Sequence, residues 1–370
     1  KLTAALRDAV RLRVEFHREG ALGVLFSGGL DCTVLAALAH EFLPQGEPID
    51  LFSVCFQAPQ HQSPDRRSAV ESWRELRQAF PDRQWNLVCT NRCDSDILRE
   101  ERHILSLLEP RTTHMDFNIG AALWFAAQGS RCRGGTHLKA SCVHKACVTC
   151  CKMHQRAKPD AERCGSHKLS QDKDAARKRR RQLEFQDAGA SLTSAGSQQR
   201  ATLSKGENEA AQQEYTSPAR ILLSGLGADE QLGGYGRHRV SYTKGGWENL
   251  RSELETDTAR LWTRNLGRDD RCISDRGKEV RHPYLDENVM ETLASLPLEH
   301  VVDPRLPSGD GDKRLLRIVA CQLGLPGVSG LAKRAIQFGT RIAQVSRAHA
   351  PGSNRSYDAS AAYVIRSESV

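Results

Sequence analysis

Two short stretches hold residues whose types and spacing could do chemistry. In Leu25-Phe26-Ser27-Gly28-Gly29-Leu30-Asp31-Cys32 an apolar run ends in a hydroxyl, two glycines and a carboxylate, and an Ala/Leu-rich segment follows. In Leu222-Leu223-Ser224-Gly225-Leu226-Gly227-Ala228-Asp229-Glu230 a second apolar run ends in Ser-Gly, another glycine, and an acid that opens a helix. Glycine lets the main chain approach a ligand without a Cβ in the way. N–H groups that converge where a helix begins favour an anion. A carboxylate repels phosphate, so Asp31 and Asp229 make sense if Mg²⁺ lies between them and a polyphosphate. Each turn taken alone also reads as an ordinary helix cap. The second copy shifts the balance, because two such turns on neighbouring parallel strands face one crevice at the carboxyl edge of a sheet.

The elements that must position these turns follow from the apolar rhythm. Strands are predicted at Gly23–Phe26, Asp50–Phe56 and Gln84–Val88, and helices at Thr33–Phe42, Ser68–Phe80, Asp96–Leu108 and Phe117–Ala127. Alternation of this kind belongs to a parallel α/β sheet with helices on both faces. From 128 to 214 the text turns polar and rich in Ser, Gln, Lys and Arg, with no apolar period, and is expected to be a long, largely disordered insertion. Order returns with a buried strand at Ala219–Leu223. The expected organisation is one domain made of residues 1–127 and 215–345, interrupted by the insertion and followed by a mobile tail at 346–370.

Bulk properties narrow the class. An apolar content of 39% allows a real core, and the net charge of +8 is unevenly spread along the chain. No run of about 18 uncharged apolar residues occurs, and no signal-peptide pattern opens the chain. The expectation is a cytoplasmic protein with no membrane partner. The chain enters at Lys1 directly into a helical pattern of Leu2, Leu6, Ala9, Val10 and Arg13, as a fragment lacking an upstream domain would.

Four ordered blocks resemble a known family. "SGGLD" looks like the pyrophosphate loop of the ATP pyrophosphatases, whose fold is adenine nucleotide alpha hydrolase-like, and "SGLGADEQLGGY" resembles the second signature of the asparagine synthetases within that group. "GRDDRCISDRGKEVRHPYLDENV" at Gly267–Val289 resembles the synthetase segment ending in Pro-Phe/Tyr-Leu-Asp. "DKRLLR" at Asp312–Arg317, followed by "AKRAIQFGTRIA" at Ala332–Ala343, resembles the segment ending in Gln-Phe. The resemblance implies Mg-ATP as the cofactor pair and adenylation of the aspartate side chain with release of pyrophosphate. Ammonia would then attack the acyl-adenylate to form asparagine.

By motif position, Ser27, Gly28, Gly29 and Asp31 would hold the pyrophosphate, with Cys32 beside them. Leu25, Phe26 and Val54 would line the adenine or ribose, Ser224 and Gly225 would contact the nucleotide, and Asp31 with Asp229 would hold the magnesium. Two departures stand out. A family Glu that acts on the intermediate is replaced by Leu226, and a family Lys that neutralises phosphate charge maps to Ala335, leaving Lys333 or Arg334 to substitute. These losses keep a second reading open, a nucleotide-binding relative without synthetase activity. A glutamine-hydrolysing synthetase also needs an N-terminal glutaminase-type domain. Nothing before Leu22 supplies one, so such a domain is expected in a full-length parent. A third reading is a tRNA-modifying thiolase with the same loop, against which the second signature speaks.

Weaker motifs remain. Asp269, Asp270, Arg268, Arg271, Arg281 and Asp286 could recognise the ammonium and carboxylate groups of an amino-acid substrate, or form a solvated loop with a helix start at Asp286. Cys147, Cys150, Cys164 and His167 have the spacing of a tetrahedral zinc site, set against a Cys-rich stretch without metal, which is the reading adopted. The run Arg177–Arg181 could serve nuclear import or touch nucleic acid, set against a solvated basic run, which is also preferred.

Overall fold

The computed structural model describes residues 1–15, 21–56, 63–110, 113–131 and 215–347. Strands β1 (Leu22–Leu25), β2 (Ile49–Phe56), β3 (Trp85–Arg92), β4 (Ile221–Leu223) and β5 (Glu279–Arg281) form one five-stranded sheet in the order β3-β2-β1-β4-β5. Every neighbouring pair is parallel. The compact unit draws on chain from both sides of residues 132–214. The putting together of β1 with β4, Gly23 opposite Leu222 and Val24 opposite Leu223, closes that gap in space.

Strand β2 is buried along its whole length, as expected of a parallel strand covered on both sides. Alternate side chains show the two layers. On one side Arg66 of α3 (Pro64–Ala79) donates to Ser53 Oγ at 3.3 Å. On the other, Phe56 meets Phe125 of α5 (His114–Ala127) edge to face, with ring centroids 5.5 Å apart. Helix α1 (Leu2–Val14) buries Leu2, Leu6, Ala9 and Val10, as anticipated from their spacing, and closes the stripe with Val14 in place of Arg13. In α2 (Leu30–Ala39) every residue but Asp31 is buried. That helix is apolar nearly all round, and the one position that is not fully buried holds the carboxylate.

Differences from the expected elements have local causes. Helix α3 begins at Pro64, four residues before the predicted start, because Ser63 caps it by accepting from Arg66 N at 3.2 Å. Helix α5 likewise starts at His114 behind the cap Thr113, whose Oγ1 accepts from Asp116 N. Helix α4 (Asp94–Leu108) extends two residues further forward than expected. Strand β3 runs on to Arg92 because all eight of its residues pair with β2, which overrides the polar character of Thr90-Asn91-Arg92. The fifth strand, β5, has no apolar run to announce it, and its pairing to β4 creates it.

Beyond β4 the chain makes α6 (Ala228–Gln231) and α7 (Gly236–Leu261), the latter broken at Gly245–Gly246. A π-helical turn, Trp262–Leu266, leads into α8 (Gly267–Ser274). Helices α9 (Glu287–Ala294) and α10 (Arg314–Gln322) complete the layer beside α1 and α2. No helix among the described residues is long and apolar enough to cross a membrane.

Candidate functional site

The strand order reverses between β1 and β4, and both Ser-Gly turns leave the carboxyl edge there side by side. In open parallel sheets that reversal point is where ligands bind. A cleft of about 440 Å³ opens at this place, lined by both turns. Its size is that of a small-molecule site.

Each turn aims an acid into the cleft. Asp31 sits in the first turn of α2, after Gly29 as extended N-cap. Asp229 sits in the first turn of α6, after Gly227 in the left-handed region at φ 96°. Between the two acids lies Lys313, immediately before α10, its Nζ 2.5 Å from Asp31 Oδ2 and 2.6 Å from Asp229 Oδ1. Lys333 reaches the second oxygen of Asp229 from the segment after α10. Four charged groups from four parts of the chain thus converge on one spot.

Their titration follows from the geometry. Burial works to raise the Asp229 carboxyl, but Lys313 and Lys333 together outweigh it and hold the group well below the usual carboxylate range. Asp31 is pushed up by burial, against the pull of Lys313. Burial alone would lower the Lys313 ammonium, yet Asp229 and Asp31 raise it above its ordinary value, so it stays charged. Asp31 Oδ1 is buried and has no hydrogen-bond partner among the described residues, which is costly unless a ligand or cation takes it up. Gly234 keeps the cluster open, since a Cβ there would overlap Asp229 Oδ1 and Lys313 Cε.

Most residues anticipated from the sequence line this cleft: Leu25, Phe26, Ser27, Gly29, Asp31, Cys32, Val54, Ser224, Gly225, Asp229, Asp269, Lys333 and Arg334. Leu226 and Ala335 line it too. Gly28 serves in another way. It has φ 75°, and a Cβ would overlap the main chain of Ser68 and Ala69, so this glycine lets α3 close over the turn. The Cys32 thiol donates to Gly29 O at 3.3 Å, and burial pushes its pKa up, so it is a neutral packing group.

Of the other anticipated substrate residues, Arg268 lines the cleft beside Asp269 and the rest are dispersed. Asp269 is buried against Arg268, whose Nε lies 2.8 Å from its carboxylate while Nη1 lies 2.8 Å from Asp116. Asp270 is exposed and outside the cleft lining. Arg271 reaches back to the main chain of Leu107 at 2.5 Å. Arg281 donates to Glu279 at 2.7 Å and to the main chain of Arg13. Asp286 caps α9 and pairs with Arg13 at 2.8 Å. Cys147, Cys150, Cys164, His167 and the run Arg177–Arg181 lie outside the described residues, as do 132–214 and 348–370.

Several cleft residues had not been singled out. Lys313 stands in the quoted block "DKRLLR", but its place between the two acids is set by tertiary folding, and no signal in that block marks it. Glu230 and Tyr235 stand in the second signature itself, and Tyr235 OH donates to the buried Glu230 Oε1 at 2.5 Å. Asp65 opens α3, where the sequence Ser-Pro-Asp marks a helix start, and burial lifts its carboxyl to about 7 despite Arg334 and Lys333 nearby. Among the described residues, no group of three or more His, Cys, Asp or Glu is placed to hold a metal ion.

Comparison with known proteins adds to this geometry. Residues 1–100 and 240–338, together more than half of the chain, match the asparagine synthase family model. The chain is 33% identical over 371 residues to asparagine synthetase domain-containing protein 1 of Mus musculus, covering 90% of this chain and 48% of the mouse protein. The human protein of that name is 31% identical over 379 residues, covering 91% and 48%. An asparagine synthetase domain-containing protein of Saccharomyces cerevisiae is 30% identical over 364 residues, covering 94% and 53%. The chain spans about half the length of the curated relatives it matches.

Proposed function

The chain belongs to the asparagine synthase family, and on that premise we propose that its cleft binds Mg-ATP and activates a carboxylate by transfer of AMP. The observation that carries this reading is the convergence of Asp31 and Asp229, 198 residues apart in sequence, on a single point from two similar Ser-Gly turns. Mg-ATP would supply the AMP group and a pyrophosphate that leaves with its charge neutralised.

The donor set suits that pair. Mg²⁺ is commonly held by one or two carboxylates together with phosphate oxygens and water, without a full protein cage. Asp31 Oδ1, buried and without a hydrogen-bond partner among the described residues, is a ready ligand, and Asp229 stays ionised under the influence of its two lysines. Lys313 holds one positive charge between the carboxylates, so cation binding there exchanges charge for charge. Ser27 and Ser224 line the same space, where their hydroxyls would donate to phosphate oxygens. Lys333, paired to Asp229 from the segment that contains Ala335, supports the charge-neutralising role that a lysine at 335 would have had. Arg334 is held by Ser68 Oγ at 3.0 Å on the same wall.

Leu226 favours a second reading for the amination half. It lines the cleft at the position of the family Glu, and a leucine neither accepts a proton nor orients an amine. On this reading the chain binds nucleotide and forms no amide. Pyrophosphate release with Mg-ATP, L-aspartate and ammonium distinguishes the two. Release that requires the carboxylate supports activation; binding of nucleotide with no release above buffer supports the second reading. Ammonia from glutamine would come from a glutaminase-type domain of a longer parent protein.

A further inference from the structure

We propose that Asp65 accepts hydrogen bonds from the ribose hydroxyls of the bound nucleotide and so selects ribonucleotides over deoxyribonucleotides. This rests on the reading of the cleft as a Mg-ATP site. Asp65 opens α3 behind the cap Ser63, lines the cleft and is 5% exposed. An acid buried to that degree ordinarily has a cation or several donors beside it.

Other buried acids of the same cleft follow that rule. Asp257 has Arg237 at 2.6 Å and His238 at 2.8 Å, Asp269 has Arg268 at 2.8 Å, and Asp312 has Arg317 at 2.6 Å. Asp65 accepts no hydrogen bond among the described residues, and burial lifts its carboxyl to about 7, opposed only by the charges of Arg334 and Lys333. Those two cations are engaged elsewhere, Arg334 with Ser68 Oγ at 3.0 Å and Lys333 with Asp229. Gly339 leaves room for the carboxyl, since a Cβ there would overlap both of its oxygens. Asp65 is thus an unfilled acceptor on the cleft wall, and a ligand hydroxyl would offset the cost of its burial.

Its place in the fold decides which part of a nucleotide meets it. The phosphates belong at the two Ser-Gly turns that leave β1 and β4. Helix α3 touches the first of these turns where Ser68 and Ala69 abut Gly28, and Asp65 stands three residues earlier, about 4.5 Å along the helix axis. The two sides of the cleft differ in character. Toward β5 it is charged, with Arg268 and Asp269 of α8, which packs beside that strand. Toward β2 it is apolar, with Phe52, Val54 and Leu123, which suits a purine. Because α3 packs on β2 and β3, Asp65 lies on the same side of the phosphate turns as this apolar wall, one step away from them, where a nucleotide carries its ribose. The sugar presents two neighbouring hydroxyl donors, and a carboxylate presents two acceptor oxygens. A phosphate in that place would set two anionic groups together.

The test is calorimetric titration of the full chain, with Mg²⁺, by a non-hydrolysable ATP analogue, its 2′-deoxy and 3′-deoxy forms, and its inosine counterpart, which lacks the adenine amino group. The parent is expected to bind at least one deoxy form about tenfold more weakly than the ribo form. In Asp65→Ala the ribo form is expected to fall to the level of that deoxy form, so that the discrimination disappears, while Asp65→Asn, which keeps an acceptor oxygen, retains part of it. Circular dichroism confirms an unchanged fold. Equal binding of the ribo and both deoxy forms by the parent overturns the proposal without any variant. Discrimination that survives Asp65→Ala, a loss in that variant that falls equally on ribo and deoxy forms, or a loss of preference for adenine over inosine in place of sugar discrimination overturns it as well. Analogue binding without sugar discrimination defeats this inference and leaves the Mg-ATP reading standing. Absence of binding by every analogue removes that reading and this inference together.

Discussion

Lys313 Nζ stands 2.5 Å from Asp31 Oδ2, a contact that joins residues 282 positions apart and brings the start of α10 onto the first Ser-Gly turn. The lysine side chain is only 3% exposed, and its backbone takes the left-handed region at φ 52°. A non-glycine residue in that conformation costs free energy that its surroundings must offset. Here the two carboxylates do so.

Replacing Lys313 by Met should therefore leave Asp31 and Asp229 facing each other in a buried place. Breaking a buried pair in this way costs about 3–5 kcal/mol. The loss should be seen in urea denaturation without divalent cations and should shrink when Mg²⁺ is added. A variant as stable as the parent without cation would show that the lysine does not hold the acids together.

Lys333 and Arg334 should separate in function. Lys333 meets Asp229, whereas Arg334 meets Ser68. A charged hydrogen bond is worth about 1.5–3 kcal/mol, so Lys333→Ala should weaken binding of an ATP analogue by about ten- to a hundredfold, measured by calorimetry. Arg334→Ala should weaken it less. The opposite order would move the phosphate-facing role to Arg334.

Asp65 gives a pH signature. Its folded value of about 7 lies above the unfolded carboxylate value of about 3.9. The folded chain then keeps a proton that the unfolded chain has lost, so this group's contribution is complete below about pH 4 and declines as pH rises to about 7. Asp65→Asn cannot ionise and should abolish that decline. The stability of the variant relative to the parent, from denaturant midpoints, should increase between pH 4 and pH 8; parallel curves would contradict the assignment.

Tyr235 and Glu230 should respond unequally. Tyr235→Phe strands a buried carboxylate that loses its 2.5 Å donor, whereas Glu230→Gln keeps an acceptor for the hydroxyl. An unsatisfied buried polar group costs about 1–3 kcal/mol. Tyr235→Phe should be the more destabilising change in thermal melts, and equal effects would mean that the hydrogen bond contributes little.

How much of this was legible beforehand varies by element. The sheet and both acid-bearing turns could be read because strands buried on both faces give unbroken apolar runs and glycine-bearing turns have few alternatives. Strand β5 could not, because Glu279-Val280-Arg281 gains its strand character only by pairing with β4. Helix starts at Pro64 and His114 were marked by Ser63 and Thr113, whose capping role outweighed the later apolar period. Lys313 was hidden for a different reason. Its partners are set by tertiary folding across most of the chain, and no local pattern carries that distance. Arg281 and Asp286 show the converse, since charged residues in a recognised block turned out to pair with Glu279 and Arg13 away from the cleft lining.

The most direct measurement is calorimetric titration of the full chain with a non-hydrolysable ATP analogue, with and without Mg²⁺, alongside Asp31→Asn and Asp229→Asn. The account predicts binding that needs Mg²⁺ and is lost, or weakened at least tenfold, in each variant while the fold persists by circular dichroism. Binding of equal strength without Mg²⁺, or unchanged in either variant, would contradict the claim that these two acids grip a metal-bound triphosphate.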